Sequence, residues 1–176
     1  MTKNPSRMSR IEFHKFLDSV IGSFVAIPLN GEFGFGRVAR EGRLACYDLK
    51  SSSILPVDQI IQVPVLFLVG VHFDAYVSDG WRFIGKAPLE PFLEQPVKFF
   101  RQDFFTGAID IYVEGKSQPY AGEDLTKMER LSSWDANHVE DRLRNHFAGR
   151  PDPGTERGKV KPLSEFPPRA APKSET

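Results

Sequence analysis

The dipeptide Asn30-Gly31, set between two short apolar runs, constrains this chain more than any other feature. Both residues tolerate positive φ, so the pair suits a two-residue type I′ turn, and such a turn fixes which residues face each other. Leu29 then faces Glu32, Ile27 faces Gly34 and Val25 faces Gly36. Glu41-Gly42 is a weaker version of the same turn, so Ser23 to Asp48 reads as a three-stranded meander. A second two-residue loop sets Val38 against Ala45 and Gly36 against Tyr47. One face would hold Val25, Ile27, Leu29, Val38, Ala45 and Tyr47 around two glycines. A bulky ring beside a glycine covers its bare backbone and tolerates strong curvature. The fold class is therefore α+β, mostly β: a strongly curved antiparallel sheet or half-open small barrel, with flanking N- and C-terminal helices.

The remaining elements follow from periodicity. Met8 to Val20 carries Ile11, Phe13, Phe16, Leu17 and Val20 near helical spacing, and Gly22 can cap it. Ser51 to Ile61 reads as a loop with one helical turn at Val57 to Ile61. Val63 to Phe73 is apolar on both faces and reads as a central strand. Its longest apolar run, Val63 to Val71, falls well short of the roughly 20 residues of a membrane helix. Asp79-Gly80 is a turn leading to a strand with Trp81, Phe83 and Ile84. Val97 to Phe104 and Ala108 to Val113 form a hairpin around Thr106-Gly107. Glu123 to Leu131 is a helix candidate, and Asp135 to Phe147 a better one with an apolar stripe of Ala136, Val139, Leu143 and Phe147.

These elements suggest an N-terminal helix over residues 1–21 packed on the domain, a β-rich domain over 22–148 that includes the C-terminal helix, and a tail over 149–176. Six of the fourteen prolines fall in the last 27 residues. Large apolar groups are scarce there, so the tail is expected to be disordered or extended. The chain has 23 basic and 23 acidic residues, a balance that gives no support to a polyanion partner such as nucleic acid. Residues 21–149 carry thirteen basic and seventeen acidic groups and are mildly acidic. A lone cysteine, Cys46, implies no oxidising compartment, and no signal peptide is visible, so a cytoplasmic protein is expected.

Motifs for chemistry are weak. Gly34-Phe-Gly36 lacks the third glycine and the helix of a phosphate loop. His138 and His146 lie two turns apart on one helix, about 12 Å at 1.5 Å per residue, too far to share a metal. Cys46 beside Arg37 could be somewhat activated, but a core or edge residue is the better reading. No catalytic, metal or cofactor-binding residues are assigned. The residues chosen as partner contacts are Asp48, Asp74, Asp79, Trp81 and Asp103. Competing readings are a small-barrel nucleic-acid-binding protein and a hydrolase built from dispersed carboxylates, such as Asp58 and Asp110, with His72 near Asp74.

The stretch Val25-Ala-Ile-Pro-Leu-Asn-Gly-Glu-Phe-Gly-Phe-Gly-Arg-Val38 resembles the opening of the immunity protein 26 family. Tyr47-Asp-Leu49, Val65-Leu-Phe-Leu-Val-Gly-Val71, Gly80-Trp-Arg-Phe-Ile-Gly85, Phe100-Arg-Gln-Asp103 and Thr106-Gly107 follow in the family's order. Trp134-Asp-Ala-Asn-His-Val-Glu-Asp-Arg-Leu143 is similar to an extension found in some members. The departures are Ser23, where an acidic residue is expected, and the long tail. The resemblance implies a bacterial, non-catalytic protein that binds and neutralises a cognate polymorphic toxin, with no cofactor and no membrane association. Mild acidity would steer a basic nuclease toxin.

Overall fold

Asn30 and Gly31 take φ of 56° and 93°, and the hairpin they close pairs β1 (Ser23–Pro28) with β2 (Phe33–Val38) in the register expected. Ile27 faces Gly34 and Val25 faces Gly36, while Leu29 donates its N–H to Glu32 at 2.8 Å. The computed structural model describes residues 10–77 and 80–166. By internal contact these divide into two units, one from residues 1–95 and 132–156, the other from 96–131 and 157–176.

The first unit is built on a six-stranded sheet, ordered β5-β1-β2-β3-β4-β9. β3 is Arg43–Ser51, β4 Val65–Val71, β5 Arg82–Lys86 and β9 Ser133–Trp134. The sheet is open, with β5 and the two-residue β9 at its edges, and is neither a half-open barrel nor strongly curled. The inferred curvature rested on rings beside Gly34 and Gly36, but apolar layers cover both faces of the sheet. Gly36 instead makes room for Leu44, whose Cδ1 lies 2.7 Å from where a Cβ would stand.

The second turn differs from expectation by one residue. Ala39 bonds Arg43 across a three-residue loop, and Glu41 and Gly42 both adopt left-handed φ, 59° and 69°. Val38 therefore faces Leu44, and Gly36 faces Cys46. A one-residue slip flips every following side chain. Leu44 and Cys46 join Val25, Ile27, Leu29 and Val38 on one face, while Ala45 and Tyr47 pass to the other.

Helices cover the first face: α1 (Arg10–Val20), α3 (Asp74–Val77) and α5 (Ala136–Phe147) contribute Val20, Tyr76, Val139 and Leu143 to one cluster with Phe67 and Trp81. Gly22 ends α1 at φ 82°; its N–H bonds Val38 and its carbonyl accepts from Ala87. The second face, with Phe24, Ala26, Phe35 and Tyr47, is covered by the segment around α2 (Val57–Ile60) and by Ile84 and Ala87. α4 (Pro91–Glu94) adds Leu93 against Ala39 and Ala45.

The second unit carries a three-stranded sheet, β6 (Phe99–Gln102), β7 (Ile109–Val113) and β8 (Lys116–Pro119), in that order. The first two form the hairpin expected; β8 follows a tight turn at Glu114-Gly115 with φ 47° and 79°. The helix expected over Glu123 to Leu131 is absent. Only Leu125–Lys127 makes one 3-10 turn. The chain beyond it is extended because Phe100 bonds Glu129 and Leu131 on either side of Arg130. After α5 the chain forms α6 (Pro153–Gly158), with the Asp152 carboxylate accepting the Thr155 N–H at 2.7 Å. No described helix is long and apolar enough to cross a membrane.

Candidate functional site

Arg37 is among the largest fully buried side chains of the described residues. It extends from β2 onto the second face, where its guanidinium pairs with Glu90 and donates to the carbonyls of Ala87 and Pro88. The cation lies 4.5 Å from the Phe24 ring centroid. Tyr47 Oη donates to the other Glu90 oxygen at 2.8 Å. Burial, and then the adjoining Glu90 carboxylate, push the Tyr47 phenol well above its ordinary range. The cluster ties the 87–90 segment to β2 and β3, and its phenol stays protonated, so it acts as a brace.

A second buried cation, Arg142 on α5, stacks 3.8 Å from the Phe67 centroid and 5.2 Å from that of Trp134. It lies on a helix face that the stripe at Val139 and Leu143 does not reveal. Cys46 is fully buried nearby, and burial raises its thiol far above the ordinary value, outweighing the opposing effect of Arg142. A thiol so held carries no thiolate at neutral pH and is not a nucleophile. Gly34 and Gly36 lie in strand pairing, as the structural reading of that motif expected.

The carboxylates and histidines are dispersed at the surface. Asp48 pairs with His146 at 2.7 Å, and Asp74 is exposed at the start of α3. His72 faces Asp135, not Asp74, at 3.8 Å; His138 approaches the other oxygen of Asp135 at 3.7 Å. All three groups are more than half exposed. No three His, Cys, Asp or Glu side chains are grouped to hold a metal among the described residues. Asp79 lies outside the described residues. Trp81 is 5% exposed; its Nε1 donates to Glu140 at 3.1 Å and its ring meets Tyr76 edge-on. That placement makes Trp81 part of the core.

Asp103 belongs to the second unit, at the end of β6. Its Oδ1 accepts the N–H groups of Phe105 and Thr106 and the Thr106 hydroxyl, at 2.9, 2.7 and 2.9 Å. The Thr106 bonds, then that from Phe105, hold its carboxyl below the usual range. Two phenylalanines that the sequence reading passed over stand on this turn. Phe104 is 78% exposed and Phe105 80%. The signal was available: adjacent residues inside a turn cannot both alternate onto a core face.

The model of the immunity protein 26 family matches residues 20–106. No curated protein and no solved structure matches the chain.

Proposed function

We propose, from the match of residues 20–106 to the immunity protein 26 family, that the chain binds a cognate protein toxin and neutralises it by contact, without chemistry of its own. The family match carries this reading. Support comes from the titratable groups: Arg37, Glu90 and Tyr47 are spent on a brace and Cys46 is sealed in the core. The proposed partner is basic, a nuclease being one such toxin, because residues 21–149 carry an excess of acidic groups. Asp48 and Asp74 stand at the surface and are the proposed contacts for its cations. The proposed site of action is the cytoplasm of the producing cell.

The experiment is co-expression with the toxin gene adjacent to this one. Growth should be restored by this chain and not by an unrelated immunity protein, and the two products should co-purify. Toxicity undiminished by the folded chain counts against the proposal.

A further inference from the structure

The most exposed large apolar side chains among the described residues are Phe104 and Phe105, side by side on the β6–β7 turn. The Arg130 guanidinium lies 5.0 Å from the Phe104 centroid, and the rest of both rings is open to water, which is unfavourable at about 25 cal/mol per Å² of apolar surface. The turn that does so is not slack. Asp103 receives three hydrogen bonds from within it, and backbone bonds join Asp103 to both Gly107 and Ala108. Gly107, at φ 70°, is packed beneath Leu163 and Phe166, which leave no room for a Cβ. The rings are thus displayed from a braced support whose ordering entropy is already spent, as an interface hot spot requires.

We infer that the Phe104–Phe105 tip is the hot spot by which this chain enters an apolar pocket on the toxin it neutralises. The inference rests on the function proposed above, and both residues lie within the stretch that matches the family. Charge separates a protein pocket from the other surface two rings could enter, a lipid bilayer. Residues 96–131 and 157–166 carry eight basic and seven acidic side chains. Arg101 is paired with Asp110, Lys127 with Asp124 and Lys161 with Glu165. So balanced a surface lacks the polybasic patch that stabilises membrane anchoring, whereas an apolar pocket needs none.

The test uses the full chain and, as probe, the purified product of the adjacent toxin gene, inactivated at its own active site. Phe104→Ser/Phe105→Ser should leave the melting curve unchanged and weaken binding about 30-fold or more, the loss expected of a hot spot. Each single serine variant is measured as well, in case the double variant fails to fold. Phe92→Ser, which removes another exposed ring, should bind as the wild type does. Binding by the double variant that falls by less than this overturns the tip assignment and leaves the proposed function standing. Failure of the wild type to bind removes the proposed function and the tip assignment together. Sedimentation of the wild type with phosphatidylserine vesicles, or its dimerisation, overturns the assignment if the double variant abolishes it.

Discussion

Replacing Glu90 by alanine tests the second layer of the sheet most directly. Arg37 is 0% exposed, and the Glu90 carboxylate is the one anion among its partners Glu90, Ala87, Pro88 and Phe24. Without it, two carbonyls and a ring remain around a full positive charge, and Tyr47 loses its acceptor. Removing one partner of a buried pair costs about 3–5 kcal/mol, against a whole-protein stability of roughly 5–15 kcal/mol. At about 2–4 °C per kcal/mol for a chain of this size, Glu90→Ala should melt about 6–20 °C lower. Urea unfolding followed by the fluorescence of buried Trp81 gives the free energy. Arg37→Met/Glu90→Leu removes both charges and should recover most of the loss, because apolar groups of similar volume replace a buried pair at little cost. A Glu90→Ala variant within about 1 kcal/mol of the wild type, or a double variant no more stable than the single one, refutes the reasoning.

Gly22→Ala should destabilise by roughly 2–4 kcal/mol in the same urea assay, since its φ is 82° and its Cβ would lie 2.5 Å from the Ala87 carbonyl oxygen; a change below about 0.5 kcal/mol contradicts this. Cys46, Tyr47 and Tyr76 keep their protons in the folded state beyond their ordinary ranges. Their contribution is complete below about pH 7.5, where the unfolded thiol and phenols are also neutral, and is lost as pH rises through the ordinary thiol range at about 8.5 and then the phenol range at about 10. Urea midpoints should therefore fall from about pH 8 upward, and a flat profile to about pH 11 would sink the argument. Asp103 has the opposite sign: its carboxyl is lowered, so its bonds to the turn persist above the ordinary aspartate range and are lost as pH falls through its own value. Amide exchange at Phe105 and Thr106, corrected for intrinsic rates, should show protection that disappears at low pH in the wild type, and little protection at any pH in Asp103→Ala.

The first hairpin was legible because Asn30-Gly31 admits one loop length, and loop length sets register. The second was not. Residues Leu44 and Cys46, or Ala45 and Tyr47, are equally apolar sets, and a sheet covered on both faces accepts either one on either side. Alternation then cannot choose, and the choice falls to the backbone at Arg40-Glu41-Gly42. The Arg37–Glu90 brace joins residues 53 apart in the chain, and two charges so separated carry no local signature. Glu123 to Leu131 read as helical because spacing alone cannot register that Phe100 claims the backbone on both sides of Arg130. Of the chosen contacts, the three described aspartates, Asp48, Asp74 and Asp103, do lie at the surface. Trp81 does not, since its indole N–H finds Glu140 within the fold; large rings commonly bury when their polar atom has such a partner.

The sealed thiol of Cys46 has a practical reach. It is the chain's single cysteine, and its sulfur presents neither access nor thiolate to a maleimide. A cysteine introduced on the surface would be the one reactive handle on the native protein, so dyes or spin labels could be attached there without first making a cysteine-free background.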